Sequence, residues 1–179
     1  GAYELRDVVA TTSPSMDIQV SSNFERLLFE AYGRDAAAVR TLMDELAATG
    51  AFTIAPGPLA AIRRDFSAGR ADEAEVATTI RGTFQATGFL ADPHTAVGLS
   101  VAARFMEPGV PMVTLATAHP AKFAAAVQAA AGVEPELPPG FAGILNQRER
   151  FVTLANDRQA VADHIVRLTR AAREKVTSP

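Results

Sequence analysis

The sequence predicts a helix-rich α/β fold in which a few strands are flanked by helices. Through the middle of the chain, apolar residues recur every three or four positions, the spacing of a helix that buries one face. Polar capping residues precede several of these segments and glycines follow them, as is typical of helix ends. Two short apolar runs, residues 113–115 and 151–154, lie instead between turn residues, which favours buried strands.

The composition indicates one soluble globular domain that spans residues 1–179. A chain of 179 residues with 48% hydrophobic residues is long enough to bury a core. The net charge of −3 and the lack of a basic cluster argue against nucleic acid and anionic membranes as partners. With no cysteine, signal peptide or spanning segment, the sequence predicts a cytoplasmic protein without disulfides. Its three histidines are too dispersed for a zinc pattern, so no metal site is expected.

The helices are predicted in order from the residues that flank them. Ser22, followed by Glu25 three residues later, has the pattern of a capping box, so the first helix is expected to begin at Asn23 and end at Gly33. Later helices are expected to start at capping aspartates: Asp35 to Gly50, Asp72 to Gly88, Asp92 with Pro93 up to Pro108, and a terminal helix after Asp157. A short strand at 51–54 and a short helix at 59–66 complete the middle of the chain.

The stretch of residues 113–123 is expected to organise a binding site. An apolar run followed by polar residues and then Pro120 predicts a buried strand that leads into a helix. Thr117 and His119 would then lie at the carboxyl end of the strand, where open α/β sheets bind ligands. The helix that follows, closed by Gly132, offers free N–H groups to an anion. Lys122, just inside the helix start, is either an anion contact or a surface residue.

A polar loop and the start of the first helix supply further candidates for ligand contacts. Ser13, Ser15, Asp17 and Asn23 are more polar groups than one helix cap needs. Ser22, by contrast, is sufficiently explained as a cap. These four residues are therefore candidate substrate contacts.

His94 and Thr95 are candidates of the same kind. They lie in the first turn of the helix capped by Asp92, where their side chains can reach a group bound at the helix end. The alternative for His94 is structural, with the ring packed against the preceding strand and bonded to a backbone carbonyl.

Three stretches carry a resemblance to a known family. They are Ser-Pro-Ser-Met-Asp-Ile with Ser-Ser-Asn-Phe-Glu-Arg at 13–18 and 21–26, Asp-Pro-His-Thr-Ala-Val-Gly at 92–98, and Ala-Thr-Ala-His-Pro-Ala-Lys-Phe at 116–123. In order and spacing they resemble threonine synthase, and the likeness covers nearly the whole chain. The resemblance implies a pyridoxal-phosphate enzyme of fold type II that converts O-phospho-L-homoserine and water into L-threonine and phosphate. It also implies that Thr117 hydrogen-bonds the pyridine nitrogen of the cofactor.

The family's Schiff-base lysine and its phosphate-binding loop lie upstream of the Ser-Pro-Ser-Met-Asp motif, and neither Lys122 nor Lys175 matches the motif of that lysine. The chain is therefore interpreted as the C-terminal fragment of a longer enzyme, with the N-terminal part as its partner and with no catalytic residue of its own. Alone it is expected to be inactive, and to self-associate through edges left exposed. The alternative is a stand-alone module that binds a phosphorylated amino acid without catalysis.

Overall fold

A computed structural model describes residues 1–169 and divides the chain into two compact units, Gly1–Leu137 and Pro138–Pro179. The first unit holds a two-stranded sheet and six α-helices. Its strands are β1 (Ala2–Glu4) and β2 (Ala51–Thr53), and its helices are α1 (Phe24–Ala31), α2 (Ala36–Thr49), α3 (Pro56–Asp65), α4 (Glu73–Thr87), α5 (Pro93–Ala102) and α6 (Ala124–Ala131). The helix-rich α/β class predicted from the sequence is confirmed.

One hydrophobic core of the first unit forms around the small sheet. Strands β1 and β2 pair antiparallel with Tyr3 opposite Phe52, and the two rings stack with centroids 4.9 Å apart. Helices α1, α2 and α3 cover the sheet because their apolar residues recur at helical spacing. The buried side chains of this core are Leu28, Leu42, Leu46, Phe52 and Ile54. Strand β2 confirms the predicted strand, whereas β1 was not predicted.

A second core forms where α4 packs against α5 and α6. Val76 and Ile80, one turn apart on α4, are buried against Ala96 and Ala130. The small alanine side chains let the three helices approach closely. This packing fixes the start of α5, where the polar residues of the candidate site are found.

Most of the predicted helix ends are confirmed. Asp35, Asp72, Asp92 and Asp157 each accept hydrogen bonds from backbone N–H groups at the start of a helix, and Asp72 completes a capping box with Glu75. Glycines close α2, α4 and α6. Their φ values of 78°, 75° and 73° lie in the left-handed region, which glycine adopts without steric cost. Helix α3 begins at Pro56, earlier than predicted, because prolines are tolerated in a first helical turn.

The predicted capping box at the start of α1 is wrong. Asn23 is the N-cap in a helical conformation, and no side chain caps the helix there. At the other end, α1 stops at Ala31, two residues before Gly33, and left-handed backbone follows at Gly33 and Arg34. The pattern of Ser22 and Glu25 is present in the sequence, but Ser22 lies in a turn and Asn23 takes the N-cap position instead.

The two predicted buried strands are also wrong. Residues 113–115 and 151–154 have no strand structure, and Val113, Leu115 and Phe151 are 78%, 75% and 76% exposed. A strand needs a neighbour for its backbone hydrogen bonds, and β1 and β2 form the only sheet within residues 1–169. The apolar pattern is correct, but this part of the chain supplies no strand for either run to join.

The second unit is described as far as residue 169, so Lys175 lies outside the described residues. It contains two short 3-10 turns, Pro139–Phe141 and Ile144–Asn146, and helix α7 (Arg158–Leu168), whose start at Asp157 agrees with the predicted terminal helix. None of the described residues of this unit is buried. Within residues 1–169, no helix is long and apolar enough to cross a membrane.

Candidate functional site

Three segments that are distant in sequence meet at the first turn of α5. They are the loop around Ser15, the helix start from Asp92 to Thr95, and the backbone at Thr117. The centre of this site is the carboxylate of Asp92, which is 1% exposed. It accepts hydrogen bonds from the backbone N–H groups of His94 and Thr95 and from both of their side chains. Four donors satisfy the buried charge, so the carboxylate is stable there without a cationic partner.

His94 links the Asp92 carboxylate to the loop. Its Nδ1 lies 2.9 Å from Asp92 Oδ2, and its Nε2 accepts the backbone N–H of Ser15 at 3.2 Å. A ring that donates from Nδ1 and accepts at Nε2 is the neutral imidazole in one defined tautomer. The ring is buried and tilted against Phe123, with centroids 4.6 Å apart. The alternative of a bond to a backbone carbonyl is wrong, because the partners are a carboxylate and an amide.

Thr95 links the same carboxylate to the segment that was predicted to organise the site. Its hydroxyl is in short hydrogen-bond contact with Asp92 Oδ1 and accepts the backbone N–H of Thr117 at 3.1 Å. Thr95 is 3% exposed, whereas Thr117 is exposed. The buried Thr95 therefore holds the backbone of Thr117, which is itself an exposed residue.

The loop that contains Ser13 and Asp17 is organised by its own hydrogen bonds. Asp17 accepts both the backbone N–H and the hydroxyl of Thr11, and Thr11 Oγ1 accepts the N–H of Ser13. The hydroxyl of Ser13 is buried and has no hydrogen-bond partner among the described residues. An unsatisfied buried hydroxyl is unfavourable by about 1–3 kcal/mol, so this loop favours a further polar partner.

The remaining predicted site residues are more exposed. His119 caps the 3-10 turn Pro120–Phe123 by accepting the N–H of Ala121 at its Nδ1, and the Lys122 ammonium lies 5.9 Å from the centre of the Phe123 ring. Ser15 and Asn23 are exposed as well. Asn23 is the N-cap of α1, a helix that packs in the first core. No hydrogen bond within residues 1–169 joins its side chain to the residues at the start of α5.

Asp92 is the site residue that sequence reasoning did not include. It was recognised as a helix cap, and a cap is the commonest role of an aspartate before a proline at a helix start. The sequence does contain a signal, because His94 and Thr95 follow at the two positions whose side chains can return to the same carboxylate. Phe123 was likewise treated only as part of a helix start, although its ring packs on His94.

Comparisons with known proteins identify relatives of this chain. A sequence model described as "Threonine synthase, C-terminal" matches residues 95–165. The threonine synthase of Pseudomonas aeruginosa is 40% identical over 157 residues, which are 87% of this chain and 34% of that protein. That of Corynebacterium glutamicum is 38% identical over 173 residues, or 93% of this chain and 36% of that protein.

Two crystal structures share the fold. A pyridoxal-phosphate-bound threonine synthase from Brucella melitensis is 54% identical, with a TM-score of 0.84 over 95% of this chain and 37% of that one. The yeast enzyme is 31% identical, with a TM-score of 0.75 over 92% of this chain and 38% of that one.

The helix-rich fold of this chain is that of one part of a longer protein in both crystal structures, of which it covers 37% and 38%. The chain spans about a third of the length of the curated relatives it matches. It belongs to the threonine synthase family, as a homologue of the C-terminal part of those proteins.

Proposed function

We propose that this chain is the C-terminal part of a threonine synthase, which uses pyridoxal phosphate to convert O-phospho-L-homoserine and water into L-threonine and phosphate. The observation that carries the proposal is the arrangement at Thr117. Its amide is held by the buried Thr95 hydroxyl, while its own side chain is exposed on the same segment as His119 and Lys122. A hydroxyl presented in this way is suited to a ligand's polar atom.

The residues present fit the cofactor. We assign Thr117 as the residue that would hold its pyridine nitrogen, because no hydrogen bond within the described residues engages the Thr117 hydroxyl. When bound, the cofactor supplies an electron sink for chemistry at the amino-acid carbon atoms. A neutral hydroxyl does not keep the ring nitrogen protonated as a carboxylate would, so Thr117 orients the ring and leaves its electron demand moderate.

The polar residues around Thr117 are proposed to receive the substrate. Lys122 is cationic and His119 has a second ring nitrogen free of the helix cap, so both suit an anionic group such as the substrate phosphate. Ser13 and Ser15 supply hydroxyls on the loop that His94 holds. Asp17 and Asn23 stay predicted contacts of the same substrate.

The partner in this proposal is the N-terminal part of the same enzyme, which carries the reactive lysine. Two observations support it. First, the curated relatives are about three times as long as this chain. Second, the apolar run around Val113 and Leu115 is exposed, although its composition is that of a buried strand. We therefore expect the chain alone to be inactive. The cytoplasmic location stays a prediction.

A chimera tests the proposal. The chain is joined to the N-terminal part of the Brucella melitensis threonine synthase, which is 54% identical in the matched region, and phosphate release from O-phospho-L-homoserine is measured. The separate chain is expected to release none, and the chimera is expected to turn over. The Brucella enzyme carrying its own C-terminal part is the positive control.

Turnover by the chain alone would contradict the proposal, as would an inactive but folded and cofactor-loaded chimera. Calorimetric titration of the chain with O-phospho-L-homoserine examines the alternative of a binding module. Saturable heat with the chain alone, together with an inactive chimera, would favour that alternative.

A further inference from the structure

We infer that Asp92 and Thr95 are positioning residues, which act on the site by holding the segment of residues 112–118 and thereby Thr117. The relevance of Thr117 rests on the proposed function. The positioning itself is a property of this chain, and it can be measured without cofactor or substrate. It differs from the sequence-based prediction for Thr95, which was a direct contact with the substrate.

The hydrogen bonds of Thr95 have only one consistent direction. An ionised carboxylate only accepts, so the Thr95 hydroxyl donates its single proton to Asp92. The hydroxyl oxygen is then an acceptor toward the N–H of Thr117. Asp92 thus determines the orientation of the Thr95 hydroxyl, and the hydroxyl determines the position of the Thr117 amide.

Little else holds the segment. Among the described residues, the bond to Thr95 is the only hydrogen bond that any backbone N–H or carbonyl of residues 112–118 makes. Val113 and Leu115 are exposed, so burial of these side chains does not anchor the segment either. The second anchor is Gly98, one turn after Thr95, where the Thr114 methyl group lies against the helix. Helix α5 therefore holds the segment at two points on one face.

The other oxygen of Asp92 acts in the same way on the loop. It accepts from His94 Nδ1, which leaves His94 Nε2 as the acceptor for the N–H of Ser15. His94 and Thr95 are 5% and 3% exposed, and their polar side-chain atoms are engaged inside the protein. One buried carboxylate thereby sets the position of both segments of the candidate site.

Replacing this carboxylate by an amide removes one of the two acceptors that orient Thr95 and His94. If the amide NH2 of Asp92→Asn faces Thr95, the hydroxyl accepts from it, and the hydroxyl proton loses the carboxylate acceptor that fixed its direction away from the N–H of Thr117. If the NH2 faces His94, the ring takes the other tautomer and turns Nε2–H toward the N–H of Ser15. In either orientation one of the two connections is no longer fixed by Asp92. The backbone N–H of Thr95 or His94 that faces the NH2 loses its acceptor as well, while the remaining amide oxygen keeps the other cap bond.

Backbone amide hydrogen exchange of the chain, followed by NMR, tests this inference. In the wild-type chain, the Thr117 amide is expected to exchange at least about tenfold more slowly than Leu115, Ala116 and Ala118 after correction for intrinsic rates. This measurement needs no variant, so it tests the inference even if a substitution prevents folding. Equal rates across the four residues would overturn the inference.

Thr95 variants separate positioning from general stability. Thr95→Val is expected to remove the protection of Thr117 and leave the amides of α4 unchanged, and Thr95→Ser is expected to retain it. Thr41→Val is the control, because Thr41 is an exposed threonine of α2 whose hydroxyl also bonds a backbone group, the Ala37 carbonyl. Persistent protection of Thr117 in Thr95→Val, or an equal rise throughout α4, would overturn the inference.

Asp92→Asn is expected to raise exchange about tenfold or more at Thr117 or at Ser15, with Asp35→Asn as the matched helix-cap control. Unchanged rates at both amides would contradict the role of Asp92. These measurements use the chain without cofactor, so their failure would leave the chimera experiment unaffected. An inactive chimera, in turn, would leave the measured positioning intact and remove only its proposed purpose.

Discussion

The methyl group of Thr114 lies 3.1 Å from the position that a Cβ atom on Gly98 would occupy. Gly98 is in the middle of α5, where glycine is usually unfavourable by roughly 0.5–1 kcal/mol relative to alanine. Its missing side chain gives space to the segment that carries Thr117. The close approach between helix and segment therefore depends on this glycine.

Gly98→Ala is expected to stabilise the chain less than the helix propensity of alanine alone provides. The new methyl group meets Thr114 at a tight distance, so the segment must shift by a few tenths of an ångström. Gly82→Ala in α4 is the control, because nothing lies within 4 Å of its Cβ position, and it is expected to add about 0.5–1 kcal/mol. Urea unfolding of both variants measures the difference. An equal gain in both would show that Thr114 moves at no cost.

Thr117→Val in the chimera is expected to lower kcat/KM by roughly two- to thirteenfold, because one hydrogen bond to the cofactor is worth about 0.5–1.5 kcal/mol. Thr117→Ser keeps the hydroxyl and is expected to retain most of the activity. Phosphate release and the affinity for pyridoxal phosphate are measured together. Equal activity of the valine and serine variants would contradict the proposed contact.

Asp72→Ala is expected to reduce the free energy of unfolding by about 1 kcal/mol, because it removes the capping box at the start of α4. Ser22→Ala is the comparison, since no side-chain cap is present at the start of α1. It is expected to change the free energy by less than about 0.5 kcal/mol. Denaturant unfolding of the two variants measures both. A similar loss in the two would restore the capping box that the sequence predicted at Ser22.

Leu115→Lys is expected to reduce self-association of the chain. The wild-type side chain is 75% exposed next to the exposed Val113, and exposed apolar runs are association sites. Light scattering over a range of protein concentrations measures the effect. Ala125→Lys, which adds the same charge on an exposed position of α6, is the control. A wild-type chain that stays monomeric at high concentration would contradict this prediction.

Arg64→Gln is expected to raise the pKa of Asp65 toward its usual value of 3.8. The hydrogen bond from the Arg64 side chain holds that pKa below its usual value in the folded chain. Because the folded-state pKa is depressed, the contribution of this pair to stability is present above the unfolded pKa and is lost as the pH falls through the folded one. An NMR titration of the Asp65 carboxyl measures the shift, with Arg63→Gln as the control. An unchanged pKa in Arg64→Gln would contradict the assignment.

Local signals in the sequence were sufficient where a few neighbouring residues decide the structure. The caps at Asp35, Asp72, Asp92 and Asp157 were predictable because a side-chain oxygen bonds N–H groups two or three residues away. The capping box predicted at Ser22 is also a local pattern, but it does not form. Asn23 takes the N-cap position in a helical conformation, and no side chain caps α1.

The strands failed for a different reason. An apolar run shows that residues 113–115 suit a buried strand, but the run becomes one only when another strand accepts its hydrogen bonds. The small strand β1 was missed because its formation depends on β2, nearly fifty residues away.

The sequence by itself determined the helix-rich class, the helix caps and the three motifs that resemble threonine synthase, because each depends on residues close together in the chain. The tertiary structure alone decided that Ser15, Asp92 and Thr117 belong to one cluster. Their connection needs the backbone N–H groups of Ser15 and Thr117 to reach the side chains of His94 and Thr95, which are 79 and 22 residues away in sequence. The packing of α4 against α5 and α6 fixes the start of α5, and the tertiary fold then brings these groups within hydrogen-bond distance.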